Sequence, residues 1–281
     1  MMNFMEIISS DPGAKKIPAL TLGLIVFTLF LYLLQVYGVS FDNLILYPNA
    51  PLEFNLNSIS LYPLIHVNFI HWFLNICSIA TPLARFEQTH GTIYTGITLN
   101  LLAVIAAIQY CIVGMFVYPN VGVVGLSGIA FSLFSFLAYK EHQHQPVIKC
   151  FHIGAFEVKI YAIIVPFIVA VLFIFLMPGS SFFGHLAGIS TGYLLALGYL
   201  KVLYPPSKVL LFIEDKLSSG IDLLEPLVDY YKENDSVHVR SAQYSSLFMN
   251  DIESSAMNSN PSVVPPAYLS ETRVLGTSEN A

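Results

Sequence analysis

Long uncharged apolar runs separated by short polar intervals fill residues 17–200, and the chain beyond them is of a different kind. The first run, 17–37, reaches the roughly 20 residues that a helix needs to cross a bilayer. Runs at 63–83, 92–117, 123–139, 160–177 and 182–200 predict five more spans. The fold class is therefore an all-α membrane protein, a six-helix bundle occupying residues 17–208. No small-residue cleavage site follows the first run, so it reads as a retained span and not as a signal peptide. Residues 1–16 are a short polar N-terminus. Between 211 and 231 the apolar residues Ile213, Leu217, Ile221, Leu224, Val228 and Tyr231 recur at three- and four-residue steps. Residues 209–232 are therefore expected to form amphipathic juxtamembrane helix, interrupted at Pro226, lying on the membrane surface or packed under the bundle. Residues 233–281 are rich in Ser, Asn, Pro and Glu and are expected to be a disordered cytosolic tail.

Composition agrees with this pattern. The chain is 55% hydrophobic and 11% charged, with mean hydropathy +0.67, whereas a soluble domain is ~25% charged. The net charge of −6 leaves no basic footprint for nucleic acid. Cys77, Cys111 and Cys150 have neither pairing nor metal-ligand spacing. Charge matters more through its placement. With six spans, Lys15, Lys16, Arg85, Lys140, Lys149, Lys159, Lys201 and Lys208 all fall on one side, and Asp42 and Glu53 fall on the other. Cations mark the cytosolic side, so both termini are expected there. Residues 38–62, 118–122 and 178–182 then face the lumen or exterior.

That topology gathers the polar residues of the spans into one layer. Ser127, in the tetrad Gly125-Leu126-Ser127-Gly128, opens the fourth span near its luminal end. His185 opens the sixth. His71 lies one to two turns into the second and Asn75 one turn deeper, four apart on one helical face. A topology shifted by one span would scatter them. Together they suit acyl transfer: a serine needs a base to take its proton, and a histidine titrates near neutrality. A helix N-terminus offers free N–H groups for a developing oxyanion, and His71 and Asn75 add side-chain donors. No carboxylate is at hand to orient His185, which makes a dyad and not a triad. Gly125, Gly128, Gly184, Gly188 and Gly192 are expected to form a small-residue seam that lets the fourth and sixth spans approach closely. The blander reading of Ser127 is a packing serine in that seam, and of His71 and Asn75, polar glue between helices. Glu141, His142, His144, Cys150 and His152 match no standard metal spacing and read as a solvated cytosolic loop; no metal or cofactor is expected.

At this point the chain resembles the rhomboid family of intramembrane serine proteases. The resemblance rests on GLSG at 125–128, GHLAGISTG at 184–192, HVNFIHWFLN at 66–75, and Glu87 with Gly91 in the turn after the second span. It covers roughly residues 17–200. LYPLIH and EQTHGTIYTG, with the long tail, are most similar to the fungal rhomboid protease 2 group. The resemblance implies a serine endopeptidase that cuts transmembrane-helix substrates within the bilayer, with a Golgi or early-secretory location. It implies Ser127 as nucleophile, His185 as base and His71 and Asn75 as oxyanion donors. Where the family often carries Tyr, four residues after the serine, this chain has Phe131, whose ring can still stack on His185. The first luminal loop lacks the family's common Trp-Arg pair. A silent, derlin-like binder of transmembrane helices would lack Ser127 or His185. A metal or aspartyl membrane protease would need HExxH or an intramembrane Asp, and a transporter would need a charged coupling site. The tail could engage a cytosolic partner, but no motif names one.

Overall fold

Small polar residues at the edge set where the second and the sixth apolar runs become helical. A computed structural model of the chain describes residues 16–153, 156–177 and 179–240. The chain divides into two units, one ending at Arg240 and one comprising Ser241–Ala281. The expectations for residues 1–15 and 241–281 lie outside the described residues. The first run is helix α1 (Ala19–Val36) and the third is α4 (Thr92–Val117). Both are long and apolar enough to cross a membrane.

The second run does not start its helix at 63. A short helix α2 (Leu56–Leu61) passes into a tight turn over Tyr62–Leu64, and α3 (Phe69–His90) begins only after a break, bent by 84° from the preceding segment. The cause is Asn68, whose side chain accepts the His71 N–H at 2.8 Å and so satisfies a first-turn donor from outside the helix. The fourth run is helical only from Ser127, as α5 (Ser127–His144). The fifth begins as β-structure: β1 (Val147–Ile153) and β2 (Phe156–Tyr161) pair antiparallel, and α6 (Val165–Leu176) follows. Of the residues expected in a solvated loop, Glu141, His142 and His144 end α5 and Cys150 and His152 stand in a hairpin, where Val, Ile, Phe and Tyr recur at strand positions. The sixth run is α7 (Phe182–Ala196), capped by Ser181, whose hydroxyl accepts the Gly184 N–H at 3.0 Å. The amphipathic stretch is α8 (Ser207–Leu224), with Leu210 and Ile221 buried and Phe212 and Leu223 exposed.

Helices α5 and α7 pack backbone against backbone. A Cβ on Gly188 would overlap the Gly128 backbone, and one on Gly192 would overlap that of Ser132. The Ser132 hydroxyl bridges the pair, donating to the carbonyls of Gly128 at 3.0 Å and Gly188 at 2.8 Å. The seam is narrower than the glycine spacing suggests. A Cβ on Gly184 would meet only Ser181, in its own helix cap, and Gly125 lies outside α5 in a turn with φ of +106°.

On the side of the unit where α3 ends, Glu87 is fully buried and acts as a cap supplied from another helix. Its carboxylate accepts the N–H groups of Leu20 and Thr21 at the start of α1, at 2.8 and 2.9 Å, and the hydroxyls of Thr21 and Thr92. An anion at a helix N-terminus is favourable, and here it satisfies donors with no intrahelical partner. The chain after α8 returns to the same place. Asp229 pairs with residues 17 and 19 through backbone bonds of 3.1 and 2.9 Å, and Tyr231 exchanges bonds with Thr92.

Residues 233–240 correct the disordered tail expected from 233: they are helical. Glu214 of α8 accepts the Glu233 N–H. The Arg240 guanidinium lies over the Tyr94 ring at 4.2 Å and donates to the Glu233 carboxylate and the His90 carbonyl. A polar segment is ordered here by one cation sealed among partners. The Arg240–Glu233 side chains are only 7% and 2% exposed. Arg240→Met should therefore lower stability by about 3 kcal/mol, because it leaves Glu233 charged and unpaired inside the protein. Unfolding in detergent should show that loss, and Glu233→Gln in the same chain should recover part of it.

Candidate active site

Three elements deliver the polar layer to a single cavity. Ser127 is the first residue of α5, and the chain leading to it is pinned on both sides. Val123 pairs with Leu46 through two backbone bonds of 2.9 and 3.1 Å, and the Gly125 N–H donates to the Tyr62 carbonyl at 3.0 Å. Leu126 is buried completely. No side chain caps α5, which leaves the N–H groups of its first turn without intrahelical partners beside Ser127. His71 and Asn75 stand on the first two turns of α3. A Cβ on Gly125 would come 2.7 Å from the His71 ring and 3.5 Å from Asn75 Nδ2. Gly125 therefore serves the site twice, through its positive φ and through the room it leaves for the imidazole. Asn75 Nδ2 donates one hydrogen to the His71 carbonyl at 2.7 Å, which orients the amide and leaves its second hydrogen available.

His185, buried in the first turn of α7, lies beside Phe131, with ring centroids 4.5 Å apart and planes tilted by 34°. Phe173 of α6 meets it edge-on at 6.1 Å. Phe131 thus stacks on His185 without a hydroxyl. Among the described residues His185 Nδ1 has no hydrogen-bond partner, and no carboxylate lines the cavity. Aromatic packing, not an acid, holds this imidazole.

Ser127, His185, His71 and Asn75 all line one cavity of about 230 Å³. Its other walls are mostly apolar, with Phe131 and Phe134 from α5 and Val169, Phe173 and Met177 from α6 and its end, and Ser78 and Ser180 add two hydroxyls. Sequence reasoning missed the α6 residues, because nothing distinguishes a lining Phe from a lipid-facing one in an apolar run. His66 is buried, with its ring 5.4 Å from that of His71. A second cavity of about 340 Å³ shares His71 and is bordered by 121–124 and 179–183.

The arrangement is a hydroxyl at an uncapped helix N-terminus that shares one largely apolar cleft with a buried imidazole and the side chains of His71 and Asn75. A set of this kind has the chemistry for acyl transfer. The rhomboid domain pattern matches residues 53–202. Rhomboid-type serine protease 2 of Candida albicans is 55% identical over 283 residues, spanning 100% of this chain and 99% of the relative. The protein of the same description in Debaryomyces hansenii is 51% identical, with 92% of each chain covered. That in Saccharomyces cerevisiae is 37% identical over 80% of this chain and 85% of its own. With its motifs, its cavity and these relatives in agreement, this chain belongs to the rhomboid family.

Proposed function

We propose that this chain is an intramembrane serine protease that hydrolyses peptide bonds in or near transmembrane helices through a Ser127–His185 dyad. The observation that carries the reading is the convergence of Ser127, His185, His71 and Asn75 on one apolar cavity at the free N-terminus of α5. Ser127 Oγ attacks the scissile carbonyl carbon while His185 takes the hydroxyl proton. The resulting oxyanion is met by N–H groups of the first turn of α5, by His71 and by the second hydrogen of Asn75 Nδ2. Collapse of the tetrahedral species breaks the C–N bond, and His185 returns the proton to the leaving amine. Water, deprotonated by His185, then releases the acyl group from Ser127. Gly128, Gly188 and Gly192 act by closing α5 onto α7, which holds the serine and the histidine at one depth.

The six-span arrangement follows from the placement of the cations: Arg85, Lys140, Lys159 and Lys201 share the cytosolic side with both termini, and the cavity opens toward the lumen. The likeness to the fungal relatives favours a Golgi or early-secretory membrane, and a tail reaching into the cytosol, where a partner can grip it.

An active-site serine probe applied to the detergent-solubilised protein tests the dyad. Wild type should be labelled, and Ser127→Ala and His185→Ala should not. A wild type that is folded and open to the reagent, yet stays unlabelled, would instead indicate a silent helix-binding relative.

A further inference from the structure

The hairpin between α5 and α6 gathers three metal-ligating side chains that the protease chemistry leaves unused. In its register Cys150 stands opposite Lys159, Phe151 opposite Val158, and His152 opposite Glu157. Side chains alternate along a strand and share a face with their cross-strand partners. Cys150, His152, Glu157 and Lys159 therefore occupy one face, and Phe151 and Val158 occupy the other. The spacing of Cys150 and His152 alone suggests nothing, because the third group arrives only on the return strand.

The geometry points to a divalent-metal site on this face, formed by Cys150 Sγ, an imidazole nitrogen of His152 and a carboxylate oxygen of Glu157, with zinc(II) the fitting class of ion. One ligand atom from each residue lies within 4.8 Å of the other two. Zinc bond lengths place the ligands of one tetrahedral ion about 3.3–3.6 Å apart, so modest side-chain rotation closes the set. Sulfur and carboxylate already face the same point, since the Cys150 thiol donates to Glu157 Oε1 at 2.9 Å. An ion takes the proton's place: the thiolate binds the metal and the proton goes to solvent. The mixture of thiolate, imidazole and carboxylate suits zinc and disfavours magnesium and calcium, which take oxygen alone. Lys159 Nζ, 3.4 Å from Glu157, competes only as an exposed ion pair, which is a weak contest. The fourth position is open to water.

The hairpin also gives the ion something to do. Two strands standing alone are marginal in water, and Phe151 and Val158 remain 41% and 44% exposed. A metal joining β1 to β2 on the polar face would lock the strand register next to α6, the helix that walls the cavity.

The test uses the full chain in detergent, reduced and stripped by a chelator, titrated with cobalt(II) alone. Wild type should take up one ion per chain with a thiolate-to-cobalt absorption band that zinc(II) abolishes. Binding should tighten as pH rises, because the thiol must lose its proton. Cys150→Ser should lose the band. His152→Ala should bind at least roughly tenfold more weakly, since a direct ligand matters no less than a supporting partner. Cys77→Ser, at the other exposed thiol, should behave as wild type. Equal melting of stripped wild type and stripped Cys150→Ser shows that the variant folds, and zinc should raise the midpoint of wild type alone. No saturable band in wild type, a band that survives Cys150→Ser, or one that vanishes in Cys77→Ser would overturn the site. None of these readouts depends on proteolysis.

Discussion

Ser127→Ala is expected to lower cleavage of a transmembrane substrate by about 10⁴-fold or more, His185→Ala by a similar factor, and the double variant no further. The two residues are expected to act as one unit. Without the hydroxyl there is nothing for the imidazole to deprotonate, and without the imidazole Ser127 is left a poor nucleophile. What should survive is the electrostatic contribution proposed for the helix N-terminus, His71 and Asn75, which neither variant removes. Turnover in liposomes containing purified enzyme and substrate supplies the numbers. Multiplicative losses would mean that the residues act separately, and the dyad would have to be abandoned. Phe131 and Phe173 sharpen the expectation for His185. Because stacking rather than a carboxylate holds the ring, Phe131→Ala should reduce kcat, and removing this buried ring should also cost about 3 kcal/mol of stability.

Gly192→Ala and Gly188→Ala should each destabilise the protein by about 3 kcal/mol or more, beyond the usual range for one added methyl in a core. The obstacle at each position is the backbone of the facing helix, not a side chain that can rotate away. At Gly188 the added carbon meets the Gly128 carbonyl, and at Gly192 it meets that of Ser132. Relief requires α7 to move off α5, which breaks the bridging bonds of the Ser132 hydroxyl and withdraws His185 from Ser127. Activity and stability should therefore fall together. Gly184→Ala provides the contrast, since its added carbon approaches only the Ser181 side chain. Melting midpoints and probe labelling of the three variants, measured side by side, decide the matter. A Gly192→Ala chain as stable as Gly184→Ala would show that the helices are not packed this closely.

Much of this was readable from residue order, for reasons that differ by element. The limits of α4 coincide with the apolar run because Gly91 and Tyr118 break the helix where polarity also changes. The start of α3 was not readable, since the residues that delay it, His66 to Asn68, sit inside an otherwise apolar stretch. Depth alone brought Ser127, His185, His71 and Asn75 together, because charge placement sets which end of each run faces which side. The α6 side of the cavity left no trace, as Phe173 and Met177 look like any lipid-facing residues. The helix at 233–240 was equally hidden. Its order depends on Arg240 finding Glu233, His90 and Tyr94, two of them about 150 positions earlier in the chain, and composition carries no record of that meeting.

The pairing of Asp229 with residues 17 and 19 also sets a clock. On a ribosome adding about 5–20 residues per second, some ten to forty seconds separate the synthesis of Ile17 from that of Asp229. During that interval the Ala19 N–H has no backbone partner from the far end of the chain, and the Thr92 N–H awaits Tyr231. Glu87 can seat the start of α1 much sooner, but the last bonds there form only after the entire bundle has been made. A nascent chain released before residue 228 carries all four candidate catalytic side chains and still lacks this seal. All four candidate side chains are thus made well before the bonds at Asp229 and Tyr231 can close.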